Sequence, residues 1–339
     1  MPVPRFDTIR TGRWTIRPLR PDDAEPLWRR RNDPETARFQ SWTSPYPEQA
    51  ATELVAQVVA LDGVPPDNGW FQLAIDDSAA GEPVGDVAIH MTFDGRCAEI
   101  GYTVAAHARG RHIATDAAAR VARWLFDAVH VTRVGAQMHP DNHASARVAE
   151  SIGMVHEGRT LKSFWVGREN SDDTLYGMTH EQWAVWTDRD RHRPDTVRLV
   201  DIHADHLDEV LALRTHHTQE RLVDPVPNWF GSVFAPGDRQ PWVAAIEADG
   251  AIVGALLMAR PDDDGTAVLW RLMVDRMHQG RGIGDATLDL TVELARRWQA
   301  TSLSLRWRDL PGNAGAWFEA SGFTRTGEVD GEIVARLEL

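Results

Sequence analysis

A chain of 339 residues, 42% hydrophobic and 25% charged, is long enough for two domains and too apolar to be disordered. Its 50 acidic and 36 basic residues leave a net charge of −14. That excludes wrapping of nucleic acid unless a basic face is hidden, and favours cationic partners. The single cysteine, Cys97, excludes an internal disulfide and a cysteine-based metal cluster. No apolar run is long enough to span a bilayer, and the opening MPVPRFDTIR has no apolar signal core. The expectation is a cytoplasmic protein without a metal centre or a membrane partner.

Along the chain, a strand-like run leads into an acidic helical start (TIRPLRPDDAEPLW). Strands follow at WFQLAI from Trp70 and around Val84-Gly85, with a hairpin turn at Asp94-Gly95. The polar stretch Thr187 to Thr196 reads as a linker. After it the pattern returns: VRLVDIHADHLDEVLAL, WVAAI from Trp242, Val253-Gly254 and Asp264-Gly265. From those turns to Ala114 and Gly284 the halves align without a gap at an offset of 170. This is duplication of a whole domain. The expected boundaries are 1–190, a linker 191–195, and 196–339, both halves acidic. Each half reads as strand, helices, three strands, helix, strand, helix, strand. Early hairpins and a late strand–helix–strand crossover make each an α/β fold with a mixed sheet.

The segment Thr266 to Trp298 carries the most chemistry. A strand runs into Gln279-Gly280-Arg281-Gly282-Ile283-Gly284, and a helix follows with Leu288, Val292 and Ala295 at helical spacing. Glycines let backbone approach a ligand, and the first helical N–H groups have no partner in the helix. With the positive end of the dipole they form an anion site suited to a diphosphate. A Walker loop is absent, and Asp285 stands where a dinucleotide fingerprint needs a third glycine.

This segment resembles the Q/R-x-x-G-x-G/A signature of GNAT acyltransferases, which bind acyl-CoA. The first half repeats it, with Arg109, Gly110 and Ala114 for Gln279, Gly280 and Gly284. It departs at His112, where the signature has glycine. Two readings stay open there: a dead site, or backbone binding whatever the side chain, provided φ stays negative. Asn142-His-Ala-Ser145, followed by Glu150-Ser-Ile-Gly153, resembles a later motif of the ribosomal-protein acetyltransferase branch, whose Asn meets the pantetheine arm. In the second half Phe318 stands where many members have a tyrosine acid, and Pro311 holds the position of Asn142, displacing Asn313.

The resemblance covers nearly the whole chain as two tandem GNAT folds, a layout shared with mycothiol synthase and with a tandem GNAT protein of clavulanic-acid biosynthesis. It implies acetyl-CoA or another acyl-CoA as bound acyl donor, no metal, and direct transfer to the amine of a small molecule, with antibiotic metabolism as one setting. It places the donor against Thr103, Val104, Arg109, Gly110, Arg111, His112, Ile113, Ala114, Thr115, Asn142 and Ser145. In the second half it points to Leu272, Met273, Val274, Gln279, Gly280, Arg281, Gly282, Ile283, Gly284 and Asp285. It also implies an oxyanion donor among strand amides near Val104 or Met273.

Freeing an alkylammonium at neutral pH costs about 4–5 kcal/mol, so a base or water chain is needed. Glu99 reads either as that base or as a strand carboxylate paired with an arginine, and its sequence counterpart Leu269 cannot serve. Tyr102 reads as a sheet-face aromatic or as the acid, and His278 as a base or a solvated loop histidine. His139 and His143 have no third metal ligand and read as loop and cap residues. His216-His217 reads as lining for a substrate cleft, and Asp262 to Asp264 as a solvated turn. The expectation is a catalytic C-terminal half and a tight or structural acetyl-CoA site in the N-terminal half. A non-catalytic acyl-CoA-binding protein and a protein N-terminal acetyltransferase are the alternatives. Sheet edges offer a route to a homodimer.

Overall fold

A computed structural model describes residues 4–61, 63–65, 69–78, 81–234 and 239–339. The chain divides into two compact units, Met1–Asp188 and Arg189–Leu339. The N-terminal unit opens with β1 (Ile9–Arg10) and β2 (Trp14–Pro18), then α1 (Ala24–Arg31), α2 (Pro34–Ala37) and α3 (Glu48–Val59). Strands β3 (Trp70–Asp77), β4 (Pro83–Thr92) and β5 (Cys97–Val104) lead to α4 (Ile113–Trp124), β6 (Arg133–Met138) and α5 (His143–Ser151). The unit closes with β7 (Val155–Val166), β8 (Glu169–Thr179) and α6 (His180–Asp188). Its sheet order is β1-β2-β3-β4-β5-β6-β8-β7.

The C-terminal unit repeats this plan. It has β9 (Val197–Asp201), α7 (Leu207–Ala212), α8 (His217–Glu220), α9 (Val226–Phe234), β10 (Pro241–Ala248), β11 (Ala251–Ala259) and β12 (Thr266–Val274). After these come α10 (Ile283–Arg297), β13 (Ser302–Arg308), α11 (Gly315–Ala320), β14 (Thr324–Val329) and β15 (Glu332–Glu338). Its sheet order is β14-β15-β13-β12-β11-β10-β9. Both sheets are mixed: β5–β6 and β12–β13 pair in parallel, the other neighbours antiparallel.

One expectation needs correction. Each half closes its sheet with a hairpin, not a single strand, which α6 follows in the N-terminal half; the second hairpin strand pairs with β6 or β13 while the first lies at the sheet edge. In the C-terminal unit the signal is in the sequence: Asp330 and Gly331 both take positive φ at the turn, as a tight Asp-Gly hairpin requires. The polar stretch after α6 is also more than a spacer. Asp190 and the His192 carbonyl accept bonds from Arg281 at 2.5 and 2.7 Å, and the amides of Asp195 and Thr196 donate to Asp249.

The two faces of the C-terminal sheet are covered differently. Leu269, Leu303, Leu305 and Trp307 pack with Leu288, Ala295 and Phe318 of α10 and α11. Ala245, Ala255, Leu257 and Met273 pack with Val210, Leu213, Val226 and Trp229 around α7 and α9. In the N-terminal unit, Arg30 of α1 reaches Asp86 on β4 (3.1 Å) and Thr103 on β5 (3.2 Å), tying that helix to the sheet.

Parallel pairing is short in both units. Between β5 and β6 it ends at Glu99–Gly135, although β5 runs on to Val104. Between β12 and β13 it ends at Leu269–Leu305, although β12 runs on to Val274. The far strands can lean this way because the opposing residue is glycine. A Cβ on Gly85 would lie 2.6 Å from the Thr103 carbonyl, and one on Gly254 would lie 2.4 Å from the Met273 carbonyl. Backbone has no rotamer to move aside, so Gly85→Ala and Gly254→Ala should each destabilise their unit by about 1–3 kcal/mol. Urea denaturation of each variant checks this; an unchanged midpoint for both would contradict the close approach.

Candidate functional site

In the C-terminal unit the parted strands open a cavity of about 490 Å³. One wall is the strand run Leu269 to Val274, another the loop and helix start from His278 to Asp285, and a third Asn313, Trp317 and Phe318. Gly280 and Gly282 sit at φ +78° and +76°, and Gly282 is the N-cap of α10. The left-handed glycines turn the chain so that the first amides of a 15-residue helix face the cavity. Trp317 stands beside Gly284, 3.7 Å from where a Cβ would be, and its indole donates to Asp285 at 2.6 Å.

Of the donor-binding residues read from the sequence in this half, all but Arg281 line the cavity, as does His278. Arg281 is buried and turned back, bonded to Asp190, the His192 carbonyl and His278 Nδ1 (3.0 Å). That last bond corrects the reading of His278 as a base. A guanidinium only donates, so Nδ1 must accept and the proton of the neutral ring sits on Nε2. No lone pair remains to take a proton from an amine. Burial, against the pull of Asp275, also lowers the pKa of His278.

Gln279 closes the loop by donating to the Val274 carbonyl (3.0 Å) and to Gln219 (2.9 Å). Asn313, displaced in the sequence, still reaches the cavity and caps α11 by accepting from Gly315 N (2.7 Å). His216 and His217 are not among the lining residues, although neighbouring Thr215 and Gln219 are. Asp262 is not merely solvated: it pairs with Arg239 and accepts from Thr266 N at 2.9 Å.

The N-terminal unit builds the same loop from different side chains. Arg109 donates to the Val104 carbonyl (3.2 Å) and to Thr36 (2.7 Å), doing what Gln279 does. Arg111 turns back to Asp77 (2.8 Å) and over Trp14, as Arg281 does to Asp190. Gly110 is at φ +74°. His112 corrects the sequence reading: its φ is +60°, not negative, so it holds the left-handed N-cap place of Gly282. Ile113, Ala114 and Thr115 then form the first turn of α4. Backbone geometry, not the glycine itself, is what the two loops share.

Thr103 faces α1 through Asp86 and Arg30. Tyr102 points the other way and donates to the Ser145 carbonyl (2.7 Å), next to the Asn142 cap that accepts from Ser145 N. Burial and the charge of Glu150 raise the pKa of its phenol. Glu99 is half-buried and has no arginine partner among the described residues; His90 Nδ1 stands 4.0 Å away. Burial, then the charge of Asp173, raises its pKa. Leu269 is not its structural counterpart. A bulge in β12 between the residues facing Leu257 and Met258 turns Leu269 toward α10, whereas β5 pairs with β4 without a shift. His139 stacks on Phe39 and accepts from Asp141 N. Among the described residues no group of three or more His, Cys, Asp or Glu could hold a metal ion, and no helix is long and apolar enough to cross a membrane.

A family model described as "Acetyltransferase (GNAT) domain" matches residues 13–155, and one described as "Acetyltransferase (GNAT) family" matches residues 201–323. Two GNAT acetyltransferase domains lie in tandem in this chain. Among curated relatives, an uncharacterised N-acetyltransferase p20 of Bacillus licheniformis is 24% identical over 157 residues, covering 45% of this chain and 85% of its own. An uncharacterised N-acetyltransferase, YoaA of Bacillus subtilis, is 25% identical over 174 residues, covering 51% and 97%. A solved ribosomal-protein-S5-alanine acetyltransferase from Vibrio fischeri is 21% identical, covers 52% of this chain and 99% of its own, and has a TM-score of 0.47.

Sequence reading of these GNAT domains missed Asp173, Trp317, Arg193 and the arginines of β12 and β13. The signal for two of these arginines was the alternation in Leu305-Arg306-Trp307-Arg308, which puts both on one strand face. Arg193 lay inside the expected linker, and its side chain sits 3.6 Å from where a Cβ on Gly282 would be.

Because Glu99 binds its proton more readily folded than unfolded, its contribution to stability is present below the ordinary carboxylate pKa and is lost as pH rises through the raised value. Glu99→Gln should therefore stabilise the N-terminal unit near pH 8, and the gain should vanish near pH 4. Urea denaturation at both values decides; equal effects would mean that Glu99 carries no raised pKa.

Proposed function

We propose that this protein is an acyl-CoA-dependent N-acyltransferase, with acetyl transfer to the amine of a small molecule taking place in the C-terminal unit. The observation that carries this reading is the open cavity between β12 and β13, ending at the glycine loop of α10. The donor supplies an activated thioester when bound. The chain supplies the rest. Amides from Gly280 to Gly284, with the charge of Arg193 beside Gly282, suit a diphosphate. Strand groups from Trp270 to Val274, unpaired with β13, suit an extended amide-bearing arm and a developing oxyanion. Trp307, Trp317 and Phe318 keep water from the reacting end. The N-terminal unit has the same loop geometry but joins β5 to α5 through the Tyr102–Ser145 bond. In this reading it holds acetyl-CoA with little turnover.

A specific observation favours a second reading, a non-catalytic acyl-CoA-binding protein or sensor. All three tyrosines, Tyr46, Tyr102 and Tyr176, fall in the N-terminal unit. Phe318 has no proton to give, and His278 is spent on Arg281. A related variant of the first reading puts transfer in the N-terminal unit with Glu99 as base. Antibiotic metabolism is one source of suitable small amines.

Gly282→Glu and Gly110→Glu separate these readings, since a carboxylate on either loop repels a diphosphate. Each variant should lose one acetyl-CoA equivalent by calorimetry, a drop in affinity of 100-fold or more at that site. Release of CoA thiol with an amine panel should fall only in Gly282→Glu. Loss only in Gly110→Glu moves transfer to the N-terminal unit, and binding without release under any condition leaves the sensor.

A further inference from the structure

The far end of the C-terminal cavity carries charge that the acyl donor does not account for. Leu305 and Trp307 face the core of α10 and α11, so Arg306 and Arg308 project from the other face of β13, toward α7–α9. Arg308 donates to the Arg221 carbonyl at the end of α8 (2.7 Å) and lies 3.6 Å from Glu332. On β12, Arg271 donates to its neighbour's carbonyl (2.8 Å) and stands 3.4 Å from Asp224. The Arg306 guanidinium, unlike its sheet-paired backbone, has no hydrogen bond or ion pair among the described residues. All three arginines line the cavity, beside the vertex where the strands part at Leu269–Leu305.

The loop that suits a diphosphate follows Val274, at the other end of this strand run. At about 3.3 Å per residue, Leu269 and Val274 are roughly 16 Å apart. One anionic group cannot serve both ends. A guanidinium facing a cavity without a carboxylate partner is a ready receptor for one, because its planar fork matches two oxygens at once. With Asp224 against Arg271 and Glu332 against Arg308, the guanidinium left without a carboxylate at this vertex is that of Arg306.

We propose that the acceptor taken by this cavity is an amine that also bears a carboxylate, held by Arg306 with Arg271 and Arg308 beside it. This names the substrate class of the acyl-transfer reading and rests on that reading for its amine. Held at the vertex by its carboxylate, such a molecule extends its amino end along β12 toward the donor. Glu332, the carboxylate on the same wall, stands 3.6 Å from Arg308 and leaves Arg306 to the ligand.

Binding is read without turnover, from tryptophan fluorescence, since Trp270, Trp307 and Trp317 line the cavity. The probes are N-acetylphenylalanine and its uncharged amide. The acid should bind the full-length protein about 10- to 100-fold more tightly than the amide, the range of one charge-assisted contact. Arg306→Gln, whose fold is checked by thermal melting, should erase that difference, and Arg306→Lys should restore part of it. Equal binding of acid and amide, binding of neither, or a preference untouched by Arg306→Gln overturns the proposal. Acetyl-CoA binding to the wild-type protein is measured separately by calorimetry. If it fails while the acid preference stands, the acyl-transfer reading falls and the carboxylate site remains.

Discussion

Two parallel strands that stop pairing part-way are the constraint on which both domains rest. Where β12 leaves β13 after Leu269, and β5 leaves β6 after Glu99, a strand edge loses its neighbour inside the fold. Backbone groups at such an edge need partners other than a neighbouring strand. The glycines opposite, Gly85 and Gly254, allow the close approach of the parting strand's end to its antiparallel neighbour. The helix that begins just past the gap then adds its own free amides at the same mouth.

Duplication preserved this backbone and redistributed the side chains. Both loops are left-handed at the residue before the helix, whether it is Gly282 or His112. Both are tied to the strand end, by Gln279 in one unit and Arg109 in the other. Both use the next arginine as an anchor to a distant carboxylate. What differs is the side-chain chemistry on and around the parting strands. The N-terminal unit has a half-buried carboxylate at Glu99, raised by burial and by Asp173, and a partly buried tyrosine at Tyr102. The C-terminal unit has an open aromatic cavity and a cluster of guanidiniums.

The sequence exposed the duplication, the alternation of strands and helices, and the glycine loop, because these depend on local spacing. The paired offsets from Asp94-Gly95 to Ala114 and from Asp264-Gly265 to Gly284 were enough to find both loops. The closing hairpins were less visible: Asp330-Gly331 marks one of them, but β7–β8 turns at Gly167 without such a pair. A gapless alignment also misassigned Leu269 to Glu99, because a one-residue bulge reverses which side chain faces which helix and leaves no mark in the sequence.

The sequence by itself determined that two like domains each carry a tight turn at a helix start, since backbone direction follows from glycine placement and hydrophobic period. Tertiary structure alone decided which side chains remain available there. Arg281, Arg109 and His278 carry suitable chemistry but are already bonded to groups distant in the chain or facing them across the loop. Arg306 is left facing open space. A side chain's chemistry is written in its identity, but whether its donors and lone pairs are already engaged depends on contacts that only the folded chain creates.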